Sequence, residues 1–147
     1  MKTKITMPIK GDYTGIDKTP DDAFANKGMG DGFLITPEEG KAYAPFSGKV
    51  SVMFPTGHAV GLKNASGVEV LIHVGIDTVK LKGEGFTQHV KQGDRVKKGD
   101  VLLEFDIDYI KEQGYDPATP LVFVEKEKVE ILKKETDTRD TLKLSLK

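Results

Sequence analysis

The sequence predicts an all-β fold, an antiparallel barrel or sandwich with short helical turns, as one domain over residues 1–147. Three observations predict it. The apolar runs are short and β-rich, and the clearest of them, Val68–Asp77, alternates with period two. Sixteen glycines and seven prolines are spread through the chain, so turns come often. MPIKG (Met7–Gly11) and APFSG (Ala44–Gly48) share the pattern apolar-Pro-x-x-Gly, 37 residues apart. Proline fixes φ and glycine permits positive φ, so both segments mark a strand entering a tight turn. A sheet folded on itself from two similar halves explains the echo.

Taken in order, strands are expected at Lys4–Pro8, Gly32–Thr36, Lys41–Ala44, Gly48–Phe54, His58–Asn64, Val68–Val74, Val101–Phe105, Leu121–Val124 and Thr141–Leu146. The turn signals PEEG, PTG, NASG, KQGD and KKGD separate most of them. Asp106–Gly114 reads as a short helix, with Asp106 as N-cap and Gly114 just past the C-terminus. Asp17–Ala25 holds a turn of helix after Pro20, and Glu125–Leu132 reads as an amphipathic turn or a strand end.

Composition excludes several classes. With 22 basic and 23 acidic residues there is no nucleic-acid footprint and no polybasic membrane surface. The absence of cysteine removes disulfides, thiolate metal sites and a cysteine nucleophile, and fits a cytoplasmic protein. The N-terminus MKTKITMPIKGDY has no apolar core of a signal peptide. Runs such as PLVFV and VLLEF are far too short to span a bilayer, so no membrane insertion is expected.

Chemistry concentrates in LIHVGIDTV and GHAVGL. Along Val68–Asp77, Val68, Val70, Ile72, Val74 and Ile76 point to one apolar face, and Leu71, His73 and Asp77 to the other. A two-residue loop, Ala65-Ser66, would set His58 opposite His73 and Val60 opposite Leu71, with Cβ atoms about 4.5–5.5 Å apart. A three-residue loop with Gly67 as a bulge would shift the register by one and separate the rings. The first register is favoured because it brings the histidines together beside an exposed apolar pair. A single strand histidine is more often a packed or surface residue than a catalyst; an opposed pair is less easily dismissed. His89, among polar residues near a turn, reads as a solvated loop histidine. Two histidines fall short of the three or four ligands zinc usually takes, so zinc at His58 and His73 would need a partner's carboxylate. A neutral imidazole is a good nucleophile near pH 7. One ring can attack while the other donates to the transferred group, which suits a phosphoryl group. Thr56 can hold one ring in a fixed tautomer. No GxSxG elbow is present for a serine hydrolase.

At these residues the chain resembles the glucose-type IIA domain of the bacterial phosphoenolpyruvate-dependent sugar phosphotransferase system. The resemblance runs through MGDGFLITPEEGKAYAPFSGKV, FPTGHAVGLKNASGVEVLIHVGIDTVKLKGEGF and VKQGDRVKKGDVLLEFD. It implies an antiparallel β-sandwich or barrel-sandwich hybrid with a duplicated motif. It implies phosphoryl transfer from the carrier HPr to His73, with His58 stabilising the group and Thr56 orienting a histidine, and onward transfer to the cysteine of a IIB domain. It implies no required cofactor, and an apolar docking face with an acidic rim, for which Asp21, Phe24, Met29, Phe54, Val60, Leu71, Asp77 and Val79 are the candidates. With neither cysteine nor membrane span, the domain works in trans or is a piece of a larger permease. Two other readings stand beside it. VKQGDRVKKGDVL is similar to turns of lipoyl- or biotinyl-type carriers, but no Met-Lys-Met flanks a modified lysine. A regulator that binds target proteins according to phosphorylation state is compatible with the main reading.

Overall fold

The computed structural model describes the backbone of residues 2–20, 31–124, 129–135 and 141–146, and the side chains of residues 6–20 and 32–124. The strands are β1 (Lys2–Thr6), β2 (Gly11–Gly15), β3 (Asp31–Pro37), β4 (Lys41–Tyr43), β5 (Gly48–Met53), β6 (Ala59–Lys63), β7 (Glu69–His73), β8 (Phe86–Gln88), β9 (Arg95–Val96), β10 (Val101–Phe105), β11 (Thr119–Phe123), β12 (Val129–Glu135) and β13 (Thr141–Leu146). They form a seven-stranded sheet, β2-β3-β11-β7-β6-β5-β9, and two three-stranded sheets, β1-β13-β12 and β4-β10-β8. Every pairing among them is antiparallel. The fold is all-β, as expected.

The strand orders carry an internal two-fold. In the large sheet, β2-β3-β11 on one side answers β5-β6-β7 on the other, with β11 and β7 paired at the centre. The small sheet β1-β13-β12 answers β4-β10-β8. One half is thus inserted between β3 and β11 of the other. The echo of MPIKG and APFSG lies at the junction. Thr6 N–H donates to Pro45 O at 3.1 Å, and Tyr43 N–H donates to Pro8 O at 2.8 Å. A 37-residue offset exchanges these two bonds. Met7, Ile9, Ala44 and Phe46 all enter the main core.

That core lies against one face of the large sheet. Val68, Val70, Ile72 and Val74 enter it from β7 and its flanks, as the alternation predicts, with Val60 and Leu62 from β6 and Leu121 and Phe123 from β11. The opposite face carries a smaller cluster of Ile16, Ala59, Leu71 and Val122, with Val52 and Phe54 against it. Strand β11 is buried along its whole length, which is why TPLVF has no polar alternation.

The helix α1 (Ile107–Glu112) forms where expected: the Asp106 carboxylate accepts the Tyr109 N–H at 3.0 Å, and Gly114 follows with φ +86°. A 3-10 turn forms at Ile16–Lys18, just before Pro20. The helical turn expected after Pro20 falls on residues 21–25, which lie outside the described residues. A second 3-10 turn, Thr78–Leu81, had no sequence expectation. Strands β2, β8 and β9 had none either; GDYTG has weak strand propensity and forms because Gly11–Gly15 pairs with Phe33–Pro37. Glu125–Leu132 overlaps β12, its first four residues lying outside the described ones.

Candidate functional site

The β6–β7 hairpin adopts the register the sequence reading disfavoured. The loop is Ala65-Ser66-Gly67, closed by Asn64 N–H donating to Val68 O at 3.0 Å, with Gly67 at φ +90°. Asn64 Oδ1 accepts both the Ser66 and Val68 N–H groups, at 3.0 and 2.9 Å, and so supplies the turn's acceptor itself. His73 therefore faces Ala59, Val60 faces Ile72, and Gly61 faces Leu71.

The histidine rings meet nonetheless, with centroids 4.9 Å apart and planes at 82°. His58 belongs to the loop before β6, not to the strand, so strand alternation does not govern its side chain. The loop Pro55–His58 turns back on itself: Gly57 N–H donates to Phe54 O at 2.8 Å, and Phe54 N–H to Ala59 O at 3.1 Å. This bend carries the His58 ring to the face bearing His73. The rings sit beside the smaller apolar cluster, where Phe54 contacts the His58 ring edge-on at 5.3 Å.

The two rings differ in environment. His58 is 2% exposed and hydrogen-bonded through Nδ1 to Thr56 Oγ1. Burial, and second the charge of His73, push its pKa from 6.5 down to about 4, so it is neutral at neutral pH. His73 is only partly buried, and its Nδ1 lies 2.8 Å from Gly75 O. A carbonyl only accepts, so the proton of a neutral His73 ring sits on Nδ1 and the lone pair on Nε2. Gly75 was missed from sequence, although the V-G after the histidine is its signal. The segment behind it is tied down: Thr78 Oγ1 donates to Val74 O, and Ile76 N–H donates to Asp116 O at 2.9 Å.

The expected docking residues separate. Val60 is fully buried in the main core, and Leu71, 8% exposed, lies in the smaller cluster; the expectation that they form an exposed pair is corrected. In the true register Val60 points inward with Ile72, away from the histidines. Phe54 is partly buried, Asp77 is exposed at the head of the 3-10 turn Thr78–Leu81, and Val79 is 50% exposed. Asp21, Phe24 and Met29 lie outside the described residues. His89 is exposed and bonds Glu104 at 2.7 Å. The segment VKQGDRVKKGD forms two like turns, in which Asp94 accepts from Lys91 N–H at 2.9 Å and Asp100 from Lys97 N–H at 2.8 Å. No third histidine, cysteine or carboxylate joins the pair as a metal-binding group among the described residues. No helix among them is long and apolar enough to cross a membrane.

A family model described as phosphoenolpyruvate-dependent sugar phosphotransferase system, EIIA 1, matches residues 3–129. A solved structure of glucose permease IIA from Mycoplasma capricolum is similar at TM-score 0.86 and 34% identity, over 98% of this chain and 96% of that one. The chain belongs to the EIIA type 1 family of the phosphoenolpyruvate-dependent sugar phosphotransferase system, and is a phosphotransferase component with a phosphocarrier role there.

Proposed function

We propose that His73 Nε2 accepts a phosphoryl group from the phosphohistidine of HPr and passes it to the cysteine of a sugar-specific IIB domain, in the cytoplasm. The observation that carries this reading is the crossed histidine pair, with the Nδ1 proton of His73 held by Gly75 O. The Nε2 lone pair attacks phosphorus as the N–P bond of HPr breaks, and that electron pair returns to the HPr imidazole. The phosphorylated His73 ring keeps its Nδ1 proton and becomes an imidazolium, which the Gly75 carbonyl stabilises. Attack by the IIB thiolate then breaks the new N–P bond and restores the neutral ring. If Thr56 Oγ1 donates to His58 Nδ1, the His58 proton sits on Nε2, where it can donate to a phosphoryl oxygen. Phe54, Asp77 and Val79 are the described residues left to meet partners, with Asp21, Phe24 and Met29 as further proposed contacts. Phosphorylation adds charge beside this face and would alter the binding of regulatory targets. The chemistry needs no cofactor. A zinc ion on the two imidazoles would need ligands from a partner and would compete with the phosphoryl group for His73 Nε2.

The test is phosphorylation by phosphoenolpyruvate, enzyme I and HPr. An acid-labile, base-stable phosphate is expected on the native chain and none on His73→Gln; full labelling of that variant sinks the assignment. His58→Gln should accept phosphate but deliver it poorly to IIB, and normal delivery removes its proposed role.

A further inference from the structure

Three cations stand abreast at the other end of β6. Lys63 of β6 is directly opposite Lys49 of β5, and Lys49 is directly opposite Arg95 of β9. Opposed residues of an antiparallel pair share a face, with Cβ atoms about 4.5–5.5 Å apart, and like charges so placed destabilise a sheet. Among the described residues none of the three makes an ion pair; those present are Lys41 and His89 with Glu104. Two carboxylates are near in sequence or register. Glu69 faces Lys63 from β7 and offsets one end of the row, while Asp94 is engaged by the Lys91 N–H. The row keeps an excess of positive charge.

This row borders a cleft of about 720 Å³ whose lining includes Lys49, Ser51, Lys63, Asn64, Arg95 and Val96 and contains no acidic side chain. Ser51 is the extra residue of a bulge, where the register passes from Val50–Leu62 to Val52–Gly61. Its hydroxyl is buried with no hydrogen-bond partner, alone in this among the side-chain atoms of the described residues. An orphaned hydroxyl costs free energy, and it can swing about a single torsion toward the cleft.

We propose that this cleft binds a small soluble phosphate ester, such as a phosphorylated sugar or nucleotide. The volume suits one small molecule. The guanidinium of Arg95 offers a fork to phosphate oxygens, the lysines supply point charges on one side of it, and Ser51 supplies a neutral donor. A bound dianion removes the repulsion along the row. The site is distinct from the histidine pair: His58 precedes β6 and Lys63 ends it, so about 17 Å of strand separates them. The bound phosphate is therefore not the transferred phosphoryl group. A concave cleft favours a soluble ester over a bilayer surface, although both present the same phosphate chemistry.

The experiment is an amide NMR titration of the whole chain with inorganic pyrophosphate and with glucose 6-phosphate, at constant ionic strength. Saturable shifts are expected at Lys49, Ser51, Lys63 and Arg95. Lys49→Ser and Arg95→Ser should each bind about tenfold more weakly, the equivalent of one charge-assisted hydrogen bond. Both variants relieve like-charge repulsion, so their unperturbed His58 and His73 signals will show the fold intact. The proposal fails if sodium chloride reproduces the shifts, if both variants bind as the native chain does, or if only phosphatidylglycerol vesicles bind.

Discussion

His58 and His73 are chemically one residue type in opposite surroundings. Burial holds His58 neutral, while a carbonyl acceptor orients His73. The folded pKa of His58, about 4, lies below the unfolded value of 6.5. Between those values the unfolded chain binds more protons, so stability falls as pH drops through that window. The loss is up to about 3 kcal/mol at full protonation. Denaturant titrations at pH 7 and pH 4.5 should show it, and His58→Gln should flatten the difference. If the pH dependence survives in that variant, the buried ring is not its source. A phosphoryl group on His73 would place about two negative charges beside His58 and raise its pKa. Gly75 is the second residue to test. Its φ is +80°, and an added Cβ would collide with the Thr78 side chain and stand 3.1 Å from Asp116 O. Gly75→Ala should cost about 1–3 kcal/mol and slow phosphoryl acceptance by misplacing the carbonyl that holds His73. Unchanged rates would detach that carbonyl from the chemistry.

The hairpin β6–β7 shows how an element sets a site without following its own alternation. A loop longer by one residue moved every pairing by one, placing Ala59 opposite His73. The bend at Gly57–His58 then restored the meeting of rings that the expected register had required of the strand. Asn64 holds the hairpin turn through two backbone N–H groups, so Asn64→Ala should destabilise by about 1–2 kcal/mol. Chemical denaturation gives the number, and the His58–His73 ring contact should persist in the variant, because the strands beyond the turn keep their registers. A lost contact would mean that the turn, not the core packing of Val60 and Ile72, sets the register.

At the scale of the whole molecule the two halves are nested, one inserted between β3 and β11 of the other. Strands β1 and β13 pair with Lys2 opposite Ser145. A permutant that joins these ends by a short linker and opens the chain between β3 and β4 turns the nested halves into tandem ones. It should keep the ring contact of the native protein and unfold in one transition, because the large sheet's centre, β11 against β7, joins the halves. Two separate transitions would show that each half holds together alone. The all-β class, the core face of Val68–Val74, the Asp106-capped helix and the meeting of the His58 and His73 rings were legible in the sequence. Each depends on local periodicity, capping chemistry or a distinctive motif. The hairpin register, the burial of Val60 and Leu71, the Gly75 carbonyl and the cationic row across β6, β5 and β9 were decided only by tertiary structure. These depend on how a loop closes and on which strands become neighbours, and neighbours distant in sequence leave no local pattern to read.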